Sequence, residues 1–308
     1  MGQNFLIEEE IFHSLEAGDC LRKQGYRGRF APSPTGDLHL GNLRTALLSW
    51  LSARLKNGQW ILRIDDLDTP RNSLGAIEKI QTDLTWLGLR WDGPIIFQSK
   101  RKTLYESVLL LLKKKNKLYP CKCSRKVLSE ESFLFGKRFI YSGRCRNLEL
   151  PWNVYKQKSL SIRLKVNKKF KLSSGDIILK RADGFISYHL ATAVDELSLG
   201  INEIIRGSDL LNSMNAQLSI IEALNCSPLI YKHAPLLLDL DGKKLSKRNG
   251  SNGLDSLIKN NFSPSQVIGL LASSLDLVPK GSELTALELL NELKSKPELI
   301  NNIFLKND

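Results

Sequence analysis

Long apolar runs, a basic N-terminus and paired cysteines are all missing from this sequence. No apolar run approaches the roughly 18 residues of a membrane-spanning helix, because the longest covers only residues 108–112. The N-terminus carries Glu8, Glu9 and Glu10 where a secretory signal would be basic. The five cysteines are an odd number spread over 308 residues, which excludes a disulfide framework. We therefore expect a cytoplasmic protein without a membrane contact, with one sizeable core and a smaller second one.

Acidic residues are scarce in the middle of the chain, and the net charge of +13 originates there. Residues 113–181 contain 20 Lys and Arg against four Asp and Glu, whereas the rest of the chain is slightly acidic. A polyanion would bind such a segment. A solvated basic surface has the same composition, so the charge alone leaves both interpretations open.

Hydrophobic periodicity predicts an α/β protein with a doubly wound parallel sheet. Strand, helix and strand signals follow one another over 27–31, 43–55 and 60–64, which is the βαβ unit of such sheets. Further helices are predicted at three places, about 73–87, 101–115 and 209–224. Strand signals return at two places, 185–194 and 201–206. Another helix is predicted to begin with Ser263 as its N-cap and Pro264 in its first turn.

The returning strand signals indicate that the basic segment interrupts a single nucleotide-binding domain. We predict five parts: an N-terminal extension (1–26), the first half of that domain (27–112), a basic insert (113–184), the second half (185–250) and a short helical C-terminal region (251–308).

Two short segments about 200 residues apart together predict an ATP site. His39-Leu40-Gly41-Asn42 lies where the first strand turns into the first helix, an edge of a parallel sheet where ligands bind. Gly41 would let a nucleotide approach the backbone, and His39 can donate to phosphate oxygens. Lys244-Leu245-Ser246-Lys247-Arg248 lies on a predicted loop whose lysines could close over the phosphates during in-line displacement. Each segment alone is more often an ordinary turn or a solvated loop.

Six segments in a fixed order extend this pattern over about residues 27–275. They are Arg29-Phe30-Ala31-Pro32-Ser33-Pro34-Thr35-Gly36, His39-Leu40-Gly41-Asn42, Arg63-Ile64-Asp65-Asp66, Tyr188-His189-Leu190-Ala191, Arg206-Gly207-Ser208-Asp209 and Lys244-Leu245-Ser246-Lys247. This string resembles the glutamyl branch of class I aminoacyl-tRNA synthetases, in which the second and last segments are the HIGH and KMSKS signatures. For Arg63 and Asp66, a surface ion pair is the simpler expectation.

The resemblance implies a site for glutamate beside the one for ATP. The glutamate-binding positions would be Arg29, Phe30, Ala31, Pro32, Ser33, Asp65, Tyr188 and Arg206. The ATP-binding positions would be His39, Gly41, Asn42, Lys244 and Lys247, of which all but Asn42 would also be catalytic, with Mg²⁺ accompanying ATP. Arg29 and Arg206 can each bind a carboxylate through two hydrogen bonds. The family usually has Glu where this chain has Asp65, whose shorter carboxylate would reach the substrate ammonium directly or through water.

Three of the cysteines predict a metal site in the basic insert. Cys121 and Cys123 form a Cys-X-Cys pair, and thiolates suit zinc, although free or buried thiols are an equal alternative from spacing alone. Cys-X-Cys followed by Tyr-X₃-Cys matches the zinc-binding pattern of the glutamyl-synthetase-like branch. The resemblance therefore implies one structural Zn²⁺ held by Cys121, Cys123, Tyr141 and Cys145. Cys20 and Cys226 have no such neighbours in the sequence.

The residues after the second signature indicate which synthetase this sequence resembles. Only 60 residues follow Arg248, whereas a full glutamyl-tRNA synthetase continues into an anticodon-binding part of roughly 100 residues or more. A catalytic domain with a zinc insert and no such part resembles the glutamyl-Q tRNA(Asp) synthetase family. The resemblance implies that glutamate is activated with ATP without tRNA and is then esterified to queuosine at the wobble position of tRNA(Asp). We expect a monomer.

Three other functions remain open at this stage. A truncated glutamyl-tRNA synthetase would charge tRNA(Glu), and a catalytically silent paralogue would only bind RNA. A small-molecule adenylyltransferase could share the first signature, but it would have no use for the basic insert.

Overall fold

The computed structural model describes residues 2–124, 126–128, 133–135, 138–152, 154–155, 158–235 and 253–305. The chain divides into two compact units. We call the first the parallel-sheet unit; it consists of Arg22–Gln98, Ile201–Leu211 and Ile230–Asp308. We call the second the cysteine unit; it consists of Met1–Leu21, Ser99–Gly200 and Asn212–Leu229. The five-part division predicted from the sequence stays a prediction.

The part of the chain that the structure describes contains both strands and helices. The strands are β1 (Arg27–Phe30), β2 (Gln59–Ile64), β3 (Ile96–Phe97), β4 (Leu118–Cys121), β5 (Phe133–Phe135), β6 (Arg138–Ile140), β7 (Val154–Tyr155), β8 (Lys158–Ser159), β9 (Ser161–Leu164), β10 (Ile178–Lys180), β11 (Glu203–Gly207) and β12 (Ile230–Ala234). The α-helices are α1 (Gly2–Gln24), α2 (Leu40–Leu55), α3 (Ala76–Trp86), α4 (Lys102–Lys114), α5 (Lys168–Ser174), α6 (Tyr188–Ser198), α7 (Met214–Ala223), α8 (Leu254–Lys259), α9 (Pro264–Ser273), α10 (Ala286–Leu293) and α11 (Glu298–Leu305).

The parallel-sheet unit is built on strands in the order β3-β2-β1-β11-β12. β1 pairs in parallel with β2, β2 with β3, and β11 with β12. The Asn202 amide donates to the Arg27 carbonyl (3.0 Å) and Arg29 Nη1 donates to the Ile205 carbonyl (2.9 Å), so β11 lies beside β1. The strand order reverses between β1 and β11, and the carboxyl ends of these two strands therefore border the crevice where α/β sheets bind ligands. The predicted fold class is confirmed.

The core of this unit encloses α2, which is buried on almost all sides because the sheet covers one side and α9 and α10 pack against others. The rings of Phe30 and Trp60 stack in this core with their centroids 6.2 Å apart. Trp60 Nε1 donates to Ser49 Oγ (2.9 Å), which satisfies its buried donor. The predicted start of α9 is confirmed, since Ser263 and Gln266 form a reciprocal capping box. Helices α8 to α11 make the C-terminal end helical, as expected.

The cysteine unit is antiparallel, with a sheet in the order β10-β9-β4 and two short hairpins, β5–β6 and β7–β8. The strand predicted over 185–194 is wrong, because Tyr188–Ser198 forms α6. Ser187 caps this helix by accepting the Leu190 amide (3.2 Å). Every residue from 190 to 198 is buried, so the helix has no polar face to give the sequence a 3.6-residue period.

The N-terminal extension is the helix α1, packed against α6 within the cysteine unit. The contact is made at Gly18, where an added Cβ would lie 1.9 Å from the Leu197 carbonyl oxygen. Only glycine allows the two backbones to approach this closely. No helix in the described part of the chain is both long enough and apolar enough to cross a membrane.

Candidate active site and metal centre

His39 caps the N-terminus of α2 at the carboxyl edge of the parallel sheet. Its Nδ1 accepts the Asn42 amide (3.2 Å), and Asn42 Oδ1 accepts the His39 amide (3.4 Å). Because Nδ1 is an acceptor, the neutral ring carries its proton on Nε2, which is then a donor. The dipole of the 16-residue helix adds partial positive charge at the same end. His39 and the first turn of α2 can therefore bind a phosphate.

Gly41 leaves the space that the His39 ring occupies. An added Cβ at position 41 would lie 3.0 Å from both Cε1 and Nδ1 of His39, so a larger residue would displace the capping ring. The sequence analysis predicted that Gly41 lets a nucleotide approach the backbone. The geometry adds a second reason for glycine here, which is the space that the His39 ring needs. The other predicted ATP-binding residues, Lys244 and Lys247, lie outside the described residues.

Arg206 lies near the carboxyl end of β11, held by two uncharged groups of β12. Its Nε donates to His233 Nε2 (3.2 Å), and its guanidinium carbon lies 4.8 Å from the Tyr231 ring centroid. His233 is directly opposite Arg206 in the strand register. A neutral imidazole and an aromatic face orient the guanidinium. Arg206 is almost fully buried and can therefore bind a carboxylate strongly.

His233 and Tyr231 were missed by the sequence analysis, which named no candidate site residue between Asp209 and Lys244. Both lie in β12, which ends at Ala234. Residues two apart on a strand share a face. The alternation of Tyr231 and His233 was the available signal, but it is informative only once the pairing with β11 is known.

The other predicted glutamate-binding residues of this unit lie in or after β1 and β2. Arg29 is buried in β1, where it donates to the Ile205 carbonyl. Asp65 follows β2 and accepts two hydrogen bonds from Arg63, Nε to Oδ1 (2.7 Å) and Nη2 to Oδ2 (3.2 Å). The expected surface location of Arg63 and Asp66 is wrong, because both residues are buried, and Arg63 forms an ion pair with Asp65.

The remaining glutamate-binding predictions fall in three different environments. Phe30 belongs to the core through its stacking on Trp60. The chain after it follows the carboxyl end of β1, with Ala31 partly exposed, Ser33 exposed and the carbonyl of the buried Pro32 accepting the Asp65 amide (3.0 Å). Tyr188 begins α6 in the cysteine unit and is 37% exposed, so its relation to the other positions stays a prediction.

Cys121, Cys123 and Cys145 form a cluster in the cysteine unit. Their Sγ atoms all lie within 4.8 Å of one another, and those of Cys123 and Cys145 are 3.5 Å apart as free thiols. The Tyr141 hydroxyl lies 3.4 Å from Cys121 Sγ and 3.5 Å from Cys123 Sγ, and it accepts the Cys145 amide (3.0 Å). Tetrahedral zinc with Zn–S bonds of about 2.3 Å places its sulfur ligands about 3.8 Å apart. The cluster is therefore compatible with zinc.

A buried arginine adjoins this cluster. Arg163 lies in β9, and its guanidinium carbon is 3.9 Å from the Tyr141 ring centroid, while Nη1 donates to the Asp176 carbonyl (2.6 Å). Burial opposes ionisation of Cys121, yet the charge of Arg163 and hydrogen bonds to the sulfur lower the pKa of this thiol. Burial and the neighbouring thiols raise the pKa of Cys123 to about 12. One thiol is thus prepared to be a thiolate, which is the form that binds metal.

A family model describes most of the chain. The model for the catalytic domain of class I tRNA synthetases specific for E and Q matches residues 26–273. The Glutamyl-Q tRNA(Asp) synthetase of Prochlorococcus marinus strain MIT 9313 is 55% identical over 303 residues, covering 98% of this chain and 99% of its own length. This chain belongs to the glutamyl-Q tRNA(Asp) synthetase family. It is therefore a class I synthetase and a ligase, as the sequence predicted.

More distant relatives agree. The Glutamyl-Q tRNA(Asp) synthetase of Synechococcus sp. strain CC9605 is 51% identical, with 93% of this chain and 96% of that protein covered. The crystal structure of a glutamate tRNA ligase from Elizabethkingia meningosepticum, in complex with its amino acid, is similar with a TM-score of 0.72 and 27% identity. The similarity covers 86% of this chain and 64% of that ligase, so the chain spans less than two thirds of the ligase.

Proposed function

We propose that this protein activates L-glutamate with ATP in the absence of tRNA and transfers it to queuosine at the wobble position of tRNA(Asp). The observation that carries the proposal is the buried Arg206, oriented by His233 and Tyr231 at the carboxyl end of a parallel strand. A carboxylate substrate is the natural partner of such a guanidinium. The names of the relatives identify the substrate as glutamate and the acceptor as tRNA(Asp) in those proteins.

The first step is an in-line displacement at the α-phosphorus of ATP. An oxygen of the glutamate α-carboxylate forms a bond to phosphorus, the bond to the β-phosphate oxygen breaks, and pyrophosphate leaves. His39 Nε2 and the first turn of α2 stabilise the phosphate charge, and Lys244 and Lys247 are proposed to do the same. When bound, Mg²⁺ supplies further positive charge on the phosphates. Arg29 and Arg206 hold the carboxylates of the substrate.

The second step transfers glutamate to RNA. A hydroxyl oxygen of the queuosine diol forms a bond to the adenylate carbonyl carbon, the bond to the phosphate oxygen breaks, and AMP leaves with the hydroxyl proton. The reaction needs no nucleophilic side chain. Unpaired anticodon bases can be splayed out to reach a crevice, and the basic segment 113–181 is suited to hold the flanking phosphates.

Asp65 is the proposed partner of the substrate ammonium. Both carboxylate oxygens already accept hydrogen bonds from Arg63, which fixes their position. Each oxygen has a second lone pair, so the carboxylate can still accept a bond from the ammonium or from a bridging water. Pairing with Arg63 weakens the attraction of this carboxylate for a cation, which favours the water-bridged alternative.

We propose one structural zinc ion, held by the three cysteines and by Tyr141. It would join the end of β4 to the segment that follows β6. Elemental analysis should find one zinc per chain, and Cys145→Ser should lose it. Cys226→Ser is the matched control, since this cysteine lies outside the cluster and should keep the metal. Purified protein without zinc would contradict the proposal.

The decisive experiment separates the two steps. Glutamate-dependent exchange of pyrophosphate into ATP should occur without RNA, and no other amino acid should replace glutamate. Labelled glutamate should then appear on tRNA(Asp) that contains queuosine and not on tRNA(Glu). Labelling of tRNA(Glu) alone would identify a truncated glutamyl-tRNA synthetase, and the absence of any exchange would identify a silent RNA-binding paralogue.

A further inference from the structure

The cysteine unit carries a groove that neither the proposed active site nor the thiol cluster uses. Its volume is about 700 Å³, within the usual range for sites that bind small molecules. It is bordered by α4, β9 and the turn after β10. Its lining combines apolar and basic side chains, of which the following matter here: Leu110, Trp152 and Leu160, with Lys113, Lys180 and Arg181.

Two of the apolar side chains are unusual for a protein surface. Leu110 is 51% exposed on α4, and Trp152 is only half-buried. Lys113 Nζ lies 4.2 Å from the centroid of the Trp152 ring, so a cation–π contact holds the indole in place. An indole fixed beside a cation is suited to stack with a planar group that carries negative charge nearby.

The charge around the groove favours a polyanion. Lys113, Lys114 and Lys115 are consecutive and exposed where α4 ends. Two carboxylates also line the groove, those of Glu106 and Asp183. Arg181 pairs with Asp183, which leaves the two lysines of the lining, Lys113 and Lys180, against the single carboxylate of Glu106. More than half of the residues that line the groove also belong to the segment 113–181, which holds the positive surplus of the chain.

We propose that this groove binds one unpaired nucleotide of the RNA substrate, other than the nucleoside that is aminoacylated. Its base stacks on Trp152, and its phosphates contact Lys113 and Lys180. This proposal rests on the proposed function only in taking RNA as the substrate. An acidic protein segment would also be attracted by the lysines, but it has no general need for a planar aromatic surface between them.

The test compares two substitutions of the same residue. Trp152→Leu keeps an apolar side chain and removes the stacking surface, whereas Trp152→Phe keeps an aromatic ring. We expect the Kd for tRNA(Asp), measured by fluorescence anisotropy at fixed salt, to rise about tenfold for Trp152→Leu and less than about threefold for Trp152→Phe, because base stacking contributes roughly 1–3 kcal/mol. Unchanged binding by Trp152→Leu would overturn the proposal.

Further measurements separate this proposal from the proposed function. Glutamate-dependent exchange without RNA should be unchanged in both Trp152 variants, which also reports that they are folded. Lys113→Gln should reduce the slope of log K against log salt concentration by roughly 0.7–0.9, the value for one phosphate contact. Lys280→Gln, at an exposed position of the parallel-sheet unit, should leave this slope unchanged. If the parent protein lacks exchange but Trp152→Leu still weakens RNA binding, the proposed function is contradicted and nucleotide binding in the groove is still supported. Equal weakening by Trp152→Leu and Trp152→Phe would exclude stacking.

Discussion

Each of the two units buries an arginine against a tyrosine ring. In the parallel-sheet unit, Arg206 lies 4.8 Å from the centroid of Tyr231. In the cysteine unit, Arg163 lies 3.9 Å from the centroid of Tyr141. The first has a neutral imidazole, His233, as its hydrogen-bond partner, whereas the second adjoins sulfur atoms that can ionise.

The difference follows from the two kinds of sheet. Parallel strands end at a common edge, so Arg206 near the end of β11 lies at the edge where α/β sheets bind ligands. The antiparallel strands β4 and β9 instead pair along their length and place Arg163 opposite Tyr119, two residue pairs from the end of β4 at Cys121. We propose that the same kind of contact prepares the parallel-sheet unit to bind a substrate and the cysteine unit to bind a zinc ion.

Removing the first arginine should have the largest effect. Arg206→Ala should lower kcat/KM for glutamate in the exchange reaction about 10²- to 10³-fold, because loss of a buried charged partner costs roughly 3–4 kcal/mol. KM for ATP should change less than about threefold, and the zinc content should not change. Arg206→Lys keeps the charge without the two parallel hydrogen bonds and should fall between the parent and Arg206→Ala. Equal losses for glutamate and ATP would contradict the assignment of Arg206.

Removing Arg163 should weaken zinc binding and leave glutamate activation nearly unchanged. Arg163→Met should weaken zinc binding about 10- to 100-fold, the usual effect of losing a group that contacts metal ligands. The measurement is competition with a chromophoric chelator, and Arg163→Lys, which retains the charge, should lose less. Exchange activity per folded, zinc-loaded molecule should stay within about twofold of the parent. If Arg163→Met lowered glutamate activation as strongly as Arg206→Ala, the comparison of the two units would be wrong.

A smaller, pH-dependent effect is expected at Glu203, at the start of β11. Its carboxylate accepts hydrogen bonds from Tyr26 (3.0 Å), Ser52 (2.9 Å), Lys56 (3.1 Å) and Lys232 (3.0 Å). Burial opposes ionisation of Glu203, but Lys232 and Lys56 outweigh it and lower the pKa. A lowered pKa means that the charged form stabilises the fold above the ordinary value of about 4.3. This stability is lost as the pH falls through the lowered pKa.

Glu203→Gln should measure that contribution. At pH 7 the free energy of unfolding should fall by about 1–3 kcal/mol, since a buried charged group loses its partners. The difference from the parent should shrink as the pH falls below about 4.3, where Glu203 itself becomes neutral. Urea titrations of the parent and the variant at several pH values measure both the loss of unfolding free energy at pH 7 and its change with pH. Glu292→Gln, at an exposed position, should have no comparable effect, and a difference that did not depend on pH would contradict the role given to the Glu203 charge.

Local signals in the sequence were sufficient for much of the fold. The strand at 27–30, the helix ending near Asn57 and the capping box at Ser263 each depend on residues within one turn or one strand. The Cys-X-Cys pair similarly predicted the thiol cluster, because its third member lies only 22 residues beyond Cys123. Helix α6 was missed because burial on all sides removed the periodicity that distinguishes helix from strand.

The residues that support the two sites could not be predicted from the sequence near each site. His233 is related to Arg206 only through the register of β11 and β12, and Arg163 to Tyr119 only through that of β9 and β4. Neither register follows from spacing, because the connecting segments include helices and loops of variable length. The resemblance predicts which residues bind ligands, whereas the residues that orient them became visible only through the pairing of distant strands.

The sequence separations within the two units also set an order for folding on the ribosome. The thiols and Tyr141 all lie between residues 121 and 145, so a short loop closes their cluster soon after this stretch emerges. β1 cannot meet β11 until about 175 further residues have been made, as the bond from Arg29 to Ile205 requires. We therefore expect metal uptake to precede assembly of the catalytic crevice during synthesis, with the unpaired edge of β1 exposed to chaperones in the interval.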